Sequence, residues 1–119
     1  MNTTYKAPSA PADLKRSGRE LWSELLRHLV LDAHELRLLH EAGRAADRCD
    51  ELARELARQG FVLPNGRPNP LLRETREQEI TLARLITALR LPADLSEGPR
   101  PQRRGLRGVY RVLPGGVAE

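Results

Sequence analysis

Gly60-Phe61-Val62-Leu63-Pro64-Asn65-Gly66-Arg67-Pro68-Asn69-Pro70 separates two long, charged, amphipathic segments and sets how they are joined. Gly60 suits the position just past a helix C-terminus. Asn65-Gly66 is a tight-turn signal, while Pro64 and Pro68 restrict any ladder around it. Phe61, Val62 and Leu63 have the composition of a short strand. Asn69 can cap a following helix with Pro70 at its first position. The stretch therefore predicts a short hairpin or loop at 60–69 between two helices.

Upstream, the pattern predicts a long central helix from Ala33 to about Gln59, roughly 40 Å in length. Its start is specified locally: Asp32 as N-cap, Glu35 completing a capping box, and Leu31 with Leu36 as a hydrophobic staple. Leu38, Ala42, Ala45, Cys49, Leu52 and Leu56 form one apolar stripe, and Gly43, Ala46, Ala53 and Ala57 lie beside it. Small side chains on that face admit close approach of another helix. The opposite face is charged, including Arg37, Glu41, Arg44, Asp47 and Glu51. Glu41–Arg44, Arg48–Glu51 and Asp50–Arg54 are spaced to pair along the helix. This face reads either as solvated or as a place where neighbouring subunits pair.

Before it, Leu14, Gly18, Leu21, Leu25 and Leu29 predict a first helix from about Asp13 to His28 or Leu29. Trp22 reads as its core anchor. Residues 1–12, with Pro8 and Pro11, read as an extended arm. A third helix is expected from Pro70 to about Arg90 or Leu91, ahead of Pro92. Its first turns are polar. Its second half (Ile80, Leu82, Leu85, Ile86, Leu89) is expected to pack on the first two helices. The fold class is all-α: three main helices forming a core over 13–92, then an Arg/Gly/Pro-rich tail over 93–119. Arg107–Leu113 has strand propensity with no second strand nearby to pair with.

The chain has 119 residues and a net charge of +4. Residues 1–97 hold fifteen Lys/Arg and fifteen Asp/Glu, so the excess lies wholly in the tail. Arg100, Arg103, Arg104, Arg107 and Arg111 face only Glu119 in the balance of that segment. Such a tail can bind DNA or another polyanion, or simply be solvated. Lys15, Arg16 and Arg19 at the start of the first helix are the next basic group. With one Trp, one Phe and two Tyr, the core is small, and self-association is a common way to add buried area.

Catalytic patterns are missing. No Gly-rich phosphate loop followed by Lys-Ser/Thr occurs, so this chain is not expected to hydrolyse ATP. His28, His34 and His40, six apart, fall on different helix faces and make no metal site. Cys49, the only cysteine, lies on the apolar stripe and reads as a buried structural thiol. No cofactor is expected, and the chain reads as a non-enzyme. No signal peptide or membrane-length apolar run is visible, which reads as a soluble intracellular protein.

Leu14 and Trp22 on a first helix, a long charged helix, Gly60, Gly66, Asn69-Pro70, and a helix ending Leu89-Arg90-Leu91-Pro92 form an ordered set. Over roughly residues 11–92 this order resembles the small terminase subunits of tailed phages. In that family the exit is usually Leu-Gly-Leu-like, then Pro and Arg. Here Arg90 stands in place of the Gly, and Asp94, Glu97 and Gly98 precede the first tail Arg. The resemblance implies a non-catalytic viral genome-packaging protein of the host cytoplasm. It implies a homo-oligomeric ring that binds double-stranded viral DNA and recruits or regulates the large terminase subunit, an ATPase and nuclease. Two other classes fit the residues: a small dimeric DNA-binding regulator, and a helical protein–protein adaptor. No convincing helix-turn-helix supports the first of these. The small-residue face of the central helix supports the second.

Overall fold

A computed structural model describes residues 5–92 and the backbone of 111–112. The described residues form three α-helices and one two-stranded antiparallel ladder, in the order α1 (Arg16–His28), β1 (Leu29–Val30), α2 (Ala33–Gln59), α3 (Leu71–Leu89) and β2 (Arg111–Val112). The helical reading is correct. β2 falls within the 107–113 stretch of strand propensity, and β1 is the partner the sequence does not signal.

Local signals behave as expected around α2. The Asp32/Glu35 capping box is formed, with the Asp32 amide donating to Glu35 Oε1 at 2.7 Å. Leu31 is buried and Leu36 packs against the same core. At the other end Gly60 takes φ 89°, and its amide closes on the Leu56 carbonyl at 2.7 Å.

The connector is a hairpin with a single bridge, Val62 to Pro68. Gly66 N–H donates to the Leu63 carbonyl and Leu63 N–H to the Arg67 carbonyl, both at 2.8 Å. The loop is therefore the three residues Pro64, Asn65 and Gly66, closed by Gly66 at φ 85°. Asn69 is 2% exposed and holds the corner together. Its Oδ1 accepts the Leu71 amide at 2.9 Å, while its Nδ2 donates to the Gly60 carbonyl at 2.9 Å and to Gln59 Oε1 at 3.1 Å. One side chain thus caps α3 and ties it to the end of α2.

α1 starts later than expected and ends within the expected bounds. Its start is Arg16, because a turn from Pro11 to Leu14 precedes it and a carboxylate from α2 closes it. It stops at His28, and Leu29 is extended rather than helical. Leu29 pairs with Val112 and Val30 with Arg111. The partner missing from the local sequence is thus the link between α1 and α2. The arm is anchored too: Trp22 Nε1 donates to the Pro8 carbonyl at 3.0 Å, and Ala7 and Ala10 pack on the core.

That core gathers Leu14, Trp22, Leu25, Leu29, Leu39 and Leu89, among others, at the α1 end of α2. α1 crosses α2 where Gly18 meets Gly43, the close approach expected of the small-residue face. α3 packs on α2. Only Leu89 of α3 is buried, and Ile80 and Leu72 are 43% and 38% exposed. The expectation that the apolar half of α3 would be covered by both other helices is corrected. Cys49 is half-buried rather than fully buried, and burial pushes its thiol pKa up, which disfavours the thiolate.

Candidate nucleic-acid interface

The middle of the charged face of α2 is not a free surface. Asp47 is 7% exposed and points into the first turn of α1, where it accepts the Lys15 amide at 2.7 Å and the Gly18 amide at 2.8 Å. α1 has no side-chain cap of its own, so Asp47 satisfies two of its otherwise unpaired N–H groups. Asp50 accepts a hydrogen bond from Ser17 Oγ, and Glu51 pairs with Lys15 Nζ. Of the three pairs expected along α2, Glu41–Arg44 forms, at 3.1 Å. Arg48 instead donates to Gln78 of α3 at 3.2 Å. Arg37–Glu41 and Arg58–Glu55 pair within α2, while Asp47, Arg48, Asp50 and Glu51 join it to the start of α1 and to α3.

These contacts bear on Lys15, Arg16 and Arg19. All three are exposed. The Glu51 carboxylate holds the Lys15 pKa above its ordinary value. Arg16 faces Glu20 at 3.4 Å, and Arg19 donates to the Ala12 carbonyl at 3.3 Å. A polar cleft of about 260 Å³ opens beside them, lined partly by Glu20, Asp47, Asp50 and Arg54. Its mixed lining offers a phosphate as many repulsive groups as attractive ones. Arg44 and His40 both reach Asp13 at 2.7 Å, and their positive and hydrogen-bonding groups lower the Asp13 pKa to about 2.

Arg100, Arg103, Arg104 and Arg107 lie outside the described residues. Arg111 is placed by its backbone alone, opposite Val30. The structure thus gathers Lys15, Arg16 and Arg19 at one helix start and fixes one point of the basic tail at the α1–α2 link.

A second basic locus lies at the far end of α2, in and around the stretch that the sequence presents as a connector. Between Leu56 and Arg73 there is no Asp or Glu, whereas Arg58, Arg67 and Arg73 are present. Arg58 pairs with Glu55. Among the described residues, neither Arg67 nor Arg73 makes an ion pair. Beside them Phe61 and Val62 are 64% and 61% exposed. The readable signal was the acid-free interval.

Among the described residues no cluster of His, Cys, Asp and Glu is placed to share a metal ion, and no helix is long and apolar enough to cross a membrane. No family model, curated protein or solved structure matches this chain.

Proposed function

We propose that this chain is a small-terminase-type subunit of a tailed phage or prophage. In this reading it is non-catalytic, assembles into a ring, binds double-stranded viral DNA, and recruits or regulates the large packaging subunit. The observation that carries the reading is the incomplete cover of α3, which leaves Leu72 and Ile80 exposed on a helix with one buried residue. A second copy can cover such a face. Repetition of one head-to-tail contact closes a ring when its rotation permits.

Each subunit adds a basic tail, so modest charge per chain becomes a multivalent DNA surface. Arg100, Arg103, Arg104, Arg107 and Arg111 supply the phosphate contacts. Lys15, Arg16 and Arg19 are secondary, because intrachain contacts already engage them.

Binding of a labelled duplex across a salt series tests the DNA role. Replacing Arg100, Arg103, Arg104 and Arg107 by Gln is expected to flatten the log–log salt slope by roughly 3.6, at roughly 0.9 per phosphate contact. An unchanged slope would remove the tail from DNA binding.

A further inference from the structure

The tip of the α2–α3 hairpin has the make-up of a contact surface and has no occupant within the described chain. Phe61 and Val62 are each more than 60% exposed, although large apolar side chains are normally drawn inward. They do not sit on a slack loop. The Val62–Pro68 bridge, the Gly66 turn and the buried Asn69 fix the backbone that presents them. Arg67 lies in the same hairpin and Arg73 in the first turn of α3, and among the described residues neither makes an ion pair. Interface cores are enriched in aromatic residues and Arg and depleted in Lys, Asp and Glu, and the interval from Ala57 to Arg73 carries Phe61 and three Arg with no Lys, Asp or Glu.

We infer that this tip docks an acidic protein segment carrying apolar side chains, which would cover Phe61 and Val62 while its carboxylates meet Arg67 and Arg73. Charge selects this occupant. A symmetric tip-to-tip contact between two copies would oppose like charges. The basic tail of the same chain is repelled for the same reason. A duplex would satisfy the arginines but leave the exposed apolar side chains without cover, unless bases were unstacked at a cost of a few kcal/mol per step. α2 separates the tip from the tail anchor at Leu29–Val30 by about 40 Å, so the two basic loci can act independently.

The test uses the full-length chain and a fluorescent peptide alternating Asp/Glu with Phe/Leu, with poly-glutamate and a random duplex as comparison probes. The variants are Phe61→Ser/Val62→Ser and Arg67→Glu/Arg73→Glu, both at exposed positions, with thermal unfolding as the check on folding. The acidic–apolar peptide is expected to bind the native chain. Each double variant should weaken it by at least about tenfold. Poly-glutamate should be insensitive to the Phe61/Val62 change. Peptide affinity unaffected by either variant would overturn the assignment. So would duplex binding lost through the tip variants, or dissociation of a self-assembled form by Phe61→Ser/Val62→Ser, since the occupant would then be DNA or a second copy.

Discussion

The Asp47 carboxylate stands beside Gly18 in the space a β-carbon would need. Its Oδ1 accepts the Gly18 amide at 2.8 Å, and its Oδ2 would lie 2.6 Å from a Cβ on Gly18. A buried acid on one helix therefore caps another, and a glycine makes room for it. Replacing Asp47 by Ala leaves two backbone N–H groups of α1 without this acceptor. The expected loss is about 2–3 kcal/mol, read from the urea midpoint. An unchanged midpoint would show that the cap contributes nothing.

Gly18 and Gly43 should respond differently to Ala, although both are helical and Ala has the higher propensity. At Gly18 the added carbon also meets the Gly43 backbone carbonyl oxygen at 2.8 Å, which cannot move aside without shifting α2. At Gly43 the nearest atoms are the Leu14 methyls at 3.0 and 3.1 Å, the end of a side chain that can turn. Gly18→Ala is expected to destabilise by about 1–3 kcal/mol. Gly43→Ala should cost clearly less, and equal losses would contradict the asymmetry.

Asn69 serves two helices, so its two amide ends can be separated. Asn69→Ala loses the α3 cap and the bond to the Gly60 carbonyl, together about 2 kcal/mol. Asn69→Asp keeps the capping oxygen but turns an oxygen toward the Gly60 carbonyl. It should therefore fall well below the native chain in thermal stability. If Asp matches Asn, the tie to α2 is unimportant.

Arg90 ends α3 in the left-handed region, at φ 55° and ψ 52°. This is the place where the resembled family usually carries Gly. Arg90→Gly relieves the Cβ conflict but frees the unfolded chain, and the expected net gain is about 0.5–1 kcal/mol. A lower melting temperature would contradict the strain.

Asp13 gives a pH signature. Its pKa in the folded chain is lowered to about 2, below the ordinary range of an aspartate, because Arg44 and His40 hydrogen-bond its carboxylate. A carboxylate with a depressed folded pKa contributes stability above its unfolded pKa and loses it as pH falls through the folded value. The melting-temperature gap between the native chain and Asp13→Asn should close as pH falls from about 4 toward about 2. Salt should narrow it, since the group is exposed. A gap that widens between about pH 4 and about pH 2 would reverse the assignment.

Much of the helical layout could be read from sequence because its signals are local. The Asp32/Glu35 box, Gly60, and Asn69-Pro70 each act within one turn of chain. The spacing sets Asp47 on a face that reads as solvated or as shared between subunits, and its actual partners, Lys15 and Gly18, are 32 and 29 residues away. Leu29 continues the leucine spacing of α1, yet it is extended and pairs with the returning Val112. The basic tail was visible as composition. The hairpin tip was not, because the exposure of Phe61 and Val62 depends on how the Asn69 corner aims them away from the core.

The central claim is self-assembly through an uncovered helical face, and absolute mass in solution tests it most directly. Light scattering after size exclusion is expected to give a discrete closed oligomer, several times the 13.4 kDa chain, that Ile80→Glu reduces toward monomer. A monomer or dimer at every concentration would contradict it.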